Sequence, residues 1–195
     1  MSKKLIALII LLVAVIGVYG TYYVYATTVL IPGDLVGFKN DYNSIQNPPI
    51  DLATIDEINS STAEFQSGSV SLADIPQSQR QQIANNLTSS MQPLQSQIQT
   101  INQSFQNNNG IATRYDLIFK GNVANEIRQV YNDNATNMLT NMSTIMNNMA
   151  TDMANGNTTA YVNDVQQFVI LGQQFNNLTA TDKPKLQDII KQLGG

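Results

Sequence analysis

The sequence predicts an all-α protein: an N-terminal transmembrane helix followed by an extracytoplasmic antiparallel helical bundle of three to four main helices. Three observations carry that prediction. Residues 5–25 form an apolar run without a single charge. Beyond it, apolar residues recur at spacings of three and four over long stretches, which is the period of one helix face. Nowhere does the chain alternate with the period of two that a half-buried strand requires.

The apolar run follows Lys3 and Lys4 and, as a helix, is roughly 30 Å long, the thickness of a hydrocarbon core. Tyr19, Tyr22, Tyr23 and Tyr25 crowd its far end, where amphipathic rings suit a membrane interface. The next basic residue is Lys39, so the positive flank places residues 1–4 in the cytoplasm and residues 5–26 in the bilayer. The expected location is therefore the cell membrane, single-pass, with the C-terminal domain extracellular. Val24-Tyr25-Ala26 also presents small residues at the positions before a signal cleavage site. An apolar core this long exceeds the roughly 7–15 residues of a cleaved signal, which favours an uncleaved anchor.

Residues 27–50, with Gly33, Gly37 and Pro48-Pro49, are expected to form a stalk, and residues 51–195 the helical-bundle domain. A weak helical pattern (Leu52, Ile55, Ile58, Phe65) precedes the loop "QSGSVSLADIPQSQ". The periodicity then strengthens. Ile83, Leu87, Met91, Leu94, Ile98, Ile101 and Phe105 share an arc of about 80° on one helix. Pro93 lies opposite that arc and predicts a kink or a break, and "NNNG" predicts a stop. A second helix is expected from about Thr113 to Ala154, with Ile127, Tyr131, Met138, Met142, Ile145, Met149 and Met153 inward. "NGNTT" ends it. A third is expected over 159–176, with Tyr161, Val165, Phe168, Val169 and Phe175 inward. A short fourth is expected to start at Thr181 as N-cap, with Pro184 in its first turn. Narrow apolar stripes of this kind are buried only against one another, which predicts the bundle.

Inventory removes several classes of function. The 195 residues include no Cys and no His, which excludes disulfides, zinc sites, N-terminal lipidation through cysteine and His-based triads. Charged residues make up 12% of the chain with a net charge of −4, so there is no basic footprint for nucleic acid. Asn and Gln, about a fifth of the chain, fill the polar positions instead.

Five of the seven methionines lie between residues 134 and 159, and Met138, Met142, Met146, Met149 and Met153 share one helix face. Thioethers in such a ladder are soft ligands for Cu(I). The Ile/Leu/Phe stripe of the preceding helix needs a partner, however, and the Met face is expected to fill that role as core.

Asn-X-Ser/Thr triplets occur at Asn59, Asn86, Asn102, Asn134, Asn141, Asn157 and Asn177, the candidate N-glycosylation sites. Composition alone produces roughly half that number. Asn141 lies to the side of the Met stripe, a position compatible with an exposed sugar. Charge concentrates in "RYDLIFKGNVANEIR", where Arg114, Tyr115, Asp116, Lys120, Glu126 and Arg128 form a candidate ligand or partner patch and Asp116–Lys120 is an expected i,i+4 pair. Solvated pairs of this kind contribute only about a few tenths of a kcal/mol, so the same cluster also reads as plain surface.

Taken together, these features predict a membrane-anchored, cell-surface, non-enzymatic protein with a binding or envelope-structural role. No catalytic residues, metal or cofactor are expected. The expected partners are the lipid bilayer, through residues 5–26, and a protein or envelope component. The alternative is a ligand-sensing ectodomain that signals through a partner protein. The anchor, the helices and the turn "MANGN" resemble four-helix chemoreceptor sensor domains in layout, although those receptors return through a second membrane helix and this sequence does not. Soft-metal (Cu) binding through the Met ladder is the third reading.

Overall fold

The computed structural model describes residues 3–46, 59–60 and 62–195, and among these residues the chain forms helices and turns with no strand. In chain order the elements are α1 (Lys3–Tyr25), a π-helical turn (Ala26–Leu30), α2 (Ile31–Gln46), α3 (Ala63–Gln66), a 3₁₀ turn (Leu72–Asp74), α4 (Gln77–Asn109), α5 (Ala112–Leu117), α6 (Gly121–Val130), α7 (Asp133–Asn155) and α8 (Thr158–Gln192). The protein is all-α, with one helix near its N-terminus long and apolar enough to cross a membrane.

The expected stalk takes a different form. Residues 27–46 continue the N-terminal helix without interruption, and α2 packs on α8 and more lightly on α4. The reason is legible afterwards: Ile31, Leu35, Phe38 and Tyr42 are spaced 4, 3, 4 and form a helix face, with Ile31 and Phe38 buried. Pro48-Pro49 and the expected helical positions Leu52, Ile55 and Ile58 lie outside the described residues.

Where α1 meets α2, the inward positions step from Tyr22 to Ala26 to Ile31, one residue more than an α-turn accommodates. The π turn absorbs that residue, with the Ile31 N–H donating to the Ala26 carbonyl. The Thr27 hydroxyl donates to the Tyr23 carbonyl (2.9 Å) and the Thr28 hydroxyl to that of Val24 (2.7 Å). These bonds return partners to carbonyls at the wide turn.

The long helices α4, α7 and α8 bury their stripes against each other. Asn102 Nδ2 donates to Thr140 Oγ1 and Gln95 Nε2 to Asn147 Oδ1, both at 3.2 Å, so α4 and α7 run in opposite senses. Along α8 the buried positions Tyr161, Val165, Phe168, Gly172, Phe175, Thr179, Asp182, Leu186 and Ile189 form one row, with Ile190 buried beside its end. They are spaced 4 and 3 in strict alternation, the seam of a left-handed helix–helix contact. Met142, Met146, Met149 and Met153 are buried in α7 and Met138 is half-buried, all facing this core. Burial of each such side chain contributes about 1.5–3 kcal/mol.

Four local expectations are corrected. The helix expected from Thr113 to Ala154 is broken twice. Phe119 takes a left-handed backbone (φ 58°), and Asn132 sits in extended geometry with its side chain capping Asn134 and Ala135 N–H groups. The helices expected on either side of Thr181 are one. The Thr181 hydroxyl donates back to the Asn177 carbonyl (3.0 Å) instead of capping, and α8 runs through Pro184 because the buried seam continues on both sides of it. Likewise α4 runs unbroken through the exposed Pro93, and Ala84 takes the buried position expected of Ile83, which is exposed.

Candidate functional site

The polar features that set α2 apart are two carboxylates seven residues, and so two turns, apart on its inward side. Asp34 accepts bonds from Arg114 Nη1 (2.8 and 3.0 Å) and from the Tyr115 hydroxyl (3.1 Å). Asp41 is buried and accepts three: from Ser104 Oγ (2.5 Å), Asn108 Nδ2 (2.6 Å) and the Tyr131 hydroxyl (2.7 Å). These donors come from α4, α5 and the end of α6, so the helix that continues α1 is tied to three other segments. Burial, and then the neighbouring Asp41 charge, raises the Tyr131 phenol well above its ordinary range. Burial and then Asp34 do the same to Tyr115. Both phenols are held as donors, the state a carboxylate acceptor needs.

Tyr131 also stacks edge-on against Phe105 (5.1 Å) and lies tilted against Phe38 (5.9 Å). A polar knot is thereby set inside an aromatic shell, where an unmade bond is costly. Beside it a void of about 170 Å³ is lined in part by Asn40, Asp41, Ser44, Thr100 and Ser104.

The charged cluster expected from residues 114–128 divides. Arg114 and Tyr115 turn inward to Asp34, and Tyr115 is fully buried. Asp116 does not pair with Lys120, because α5 ends at Leu117 and breaks the i,i+4 register; it pairs with Arg128 at the surface instead. Glu126 accepts from Gln192 Nε2 (2.9 Å) on α8. Lys120 is half-buried and lines a shallow hollow with Phe119, Asn122 and Gln192. Asp116, Lys120, Glu126 and Arg128 thus remain near the surface, without Arg114 and Tyr115.

Among the acceptor asparagines, Asn59, Asn86, Asn134, Asn141, Asn157 and Asn177 are exposed, while Asn102 is half-buried against Thr140. Asn157 also caps α8 through Oδ1, which accepts the Ala160 N–H. No group of three or more Asp or Glu able to hold a metal ion occurs among the described residues.

Sequence reasoning missed Asp34 and Asp41, which fall in the expected stalk. The 31-35-38-42 apolar spacing was the available signal: it turns positions 34 and 41 to the same side as Phe38. No family model matches the chain, and neither a curated protein nor a solved structure matches it significantly.

Proposed function

We propose that this is a single-pass, membrane-anchored protein whose residues beyond the span form an antiparallel helical bundle outside the cytoplasm, with a non-enzymatic binding or envelope-structural role. The observation that supports this most is the unbroken path from α1 through the π turn into α2, with Asp34 and Asp41 fastening α2 to the remaining helices. A flexible tether lets a domain tumble; a continuous, packed helix holds it at a set height and orientation. With α8 about 50 Å long, such a unit presents a fixed surface well above the bilayer. Asp116, Lys120, Glu126 and Arg128 offer charge to a partner at its membrane-side end, and the exposed acceptor asparagines offer attachment points for sugar.

Topology is tested by adding protease to intact cells that carry the chain with a C-terminal tag. Loss of the tag, with the remnant resisting alkaline extraction, is the expected outcome. A protected tag reverses the orientation. Crosslinking from intact membranes then separates the roles, since wall or surface-layer components support the envelope reading.

A second reading, ligand sensing reported through a partner, is favoured by the small void beside Asp41, lined by Ile101, Phe105 and Phe175 as well as by polar side chains, because Asp41 lies on the helix that continues α1. A thermal shift with small polar solutes that disappears in Asp41→Asn supports it; no shift with any solute counts against it.

A further inference from the structure

We propose that the turn between α5 and α6, residues 117–120, is a second membrane contact that inserts the Leu117 and Phe119 side chains into the leaflet from which α1 emerges. The inference rests on α1 being a membrane span. Phe119 is 84% exposed and Leu117 51%, and Phe119 is the most exposed of the large apolar side chains outside α1 and α2 among the described residues. Its backbone is left-handed (φ 58°), a conformation that a bulky side chain rarely adopts and that Gly or Asn would adopt freely. The left-handed residue closes α5, with the Lys120 N–H donating to the Tyr115 carbonyl (2.8 Å), a cap that Gly or Asn fills without strain; the presence there of an exposed aromatic ring is what the cap does not require.

The position of the turn names the partner. The Tyr19 hydroxyl donates to the Leu117 carbonyl (2.6 Å), and the Tyr19 and Phe119 rings lie 5.7 Å apart. Leu117 closes one side of a void of about 470 Å³ whose other walls are Ala14, Val15, Val18, Tyr19 and Tyr22 of α1. Tyr19 lies six residues before the end of α1, which is about 9 Å along its axis, within the roughly 5–10 Å to which interfacial segments sink. The apolar surface of the turn is therefore continuous with the exposed apolar surface of α1, and any bilayer that takes in one meets the other. Lys120 follows at once, and the Asp116–Arg128 pair stands on the flanking helices. A cation one residue beyond an inserted ring suits the phosphate level of the leaflet. The void against α1 has the wholly apolar character of a place for a lipid acyl chain.

The chain has no Trp, so a single introduced indole reports its own surroundings. The full-length variants Phe119→Trp, Leu117→Trp, Val15→Trp and Ile170→Trp are reconstituted into phosphatidylcholine vesicles with and without bromine on the acyl chains. Circular dichroism first confirms that each is helical. Phe119→Trp is expected to emit in the blue and to lose most of its intensity in brominated vesicles, more strongly with bromine near the headgroup than near the chain end. Ile170→Trp, about a third of the way along α8 from its start, should emit in the red and be unaffected. Val15→Trp reports the span. If it is quenched while Phe119→Trp and Leu117→Trp are not, the second contact is wrong and the anchor stands. If Val15→Trp is unquenched, the anchor itself fails and takes this inference with it. Blue emission from Phe119→Trp without bromine quenching means that protein covers the turn, such as a second copy of the chain, and also overturns the proposal. Should Phe119→Trp lose its helicity, Leu117→Trp carries the same test.

Discussion

Asp41 shows how a single residue couples the N-terminal helix to the helices packed beyond it. Its three donors bond both carboxylate oxygens, one to Oδ1 and two to Oδ2, which is what burial of so polar a group requires. Removing the acceptor in Asp41→Ala strands three polar partners together, and we expect a loss of about 3 kcal/mol or more. Tyr131→Phe removes one donor and should cost about 1.5–3 kcal/mol. Both are read from denaturant unfolding of the full chain in detergent. An Asp41→Ala protein as stable as the parent would show that the knot does not hold α2. Asp182 behaves differently. It is buried in the α8 seam, with one oxygen bonded to Lys185 Nζ (2.9 Å) and the other without a hydrogen-bond partner. Burial raises its carboxyl above the ordinary 3.8, against the opposing pull of Lys185. The folded state then holds this proton more tightly than the unfolded state, so stability falls as pH rises from 3.8 through the raised value and recovers on acidification. Asp164, raised by burial and by Asp152, acts in the same direction. Melting temperature should therefore rise as the solution is brought from neutral towards mildly acidic pH. Asp182→Asn should be more stable than the parent at neutral pH and should flatten that dependence.

At the scale of the element, the π turn and the α7–α8 corner are both places where register is adjusted. The π turn takes up one extra residue between Ala26 and Ile31 so that Tyr22 and Phe38 share a face. Deleting Thr28 turns it into an α-turn without moving either face, and the variant is expected to keep its helicity and melt no lower than the parent. Deleting Gly37, inside α2, rotates everything after it by about 100° relative to what precedes it and should sharply lower the melting temperature. Equal effects from the two deletions would count against the register argument. At the corner, Gly156 has φ 75°, and a Cβ there would lie 3.0 Å from the Arg80 guanidinium carbon. That guanidinium is held by the Leu72, Ile75 and Ala154 carbonyls, so it has little room to withdraw. Gly156→Ala should cost about 1–2 kcal/mol from backbone conformation alone, measured as a shift in unfolding midpoint.

For the whole molecule, the junction of the N-terminal helix with the packed helices is the informative feature. A chain beginning at residue 51 omits α2. It uncovers the aromatic surface around Phe105 and Tyr131 and leaves Arg114 and Tyr115 without Asp34. A chain beginning at residue 27 keeps these contacts. The shorter one is expected to melt markedly lower and to associate, since losing Ile31 and Phe38 alone withdraws about 1.5–3 kcal/mol each. Equal melting of the two would show that α2 contributes nothing to the fold.

The sequence by itself determined the composition of the faces. The α1 run, the Ile/Leu/Phe stripe of α4 and the Met stripe of α7 were all legible, because helix periodicity is a local property written into every turn. The tertiary structure decided what lies between and across those faces. Phe119, Pro184 and the 27–46 segment each went against a local rule. Phe119 answers to the cap that closes α5, where the Lys120 N–H reaches the Tyr115 carbonyl; the other two answer to distant residues, Pro184 to the unbroken seam along α8 and the 27–46 segment to Arg114, Asn108 and Tyr131. Local preferences amount to about 1 kcal/mol, or about 3 for a proline inside a helix, and a row of buried side chains outweighs them. The polar knot at Asp41 could not be read in advance for the same reason. Its members lie more than sixty residues from Asp41 in the chain and meet only because the helices that carry them pack.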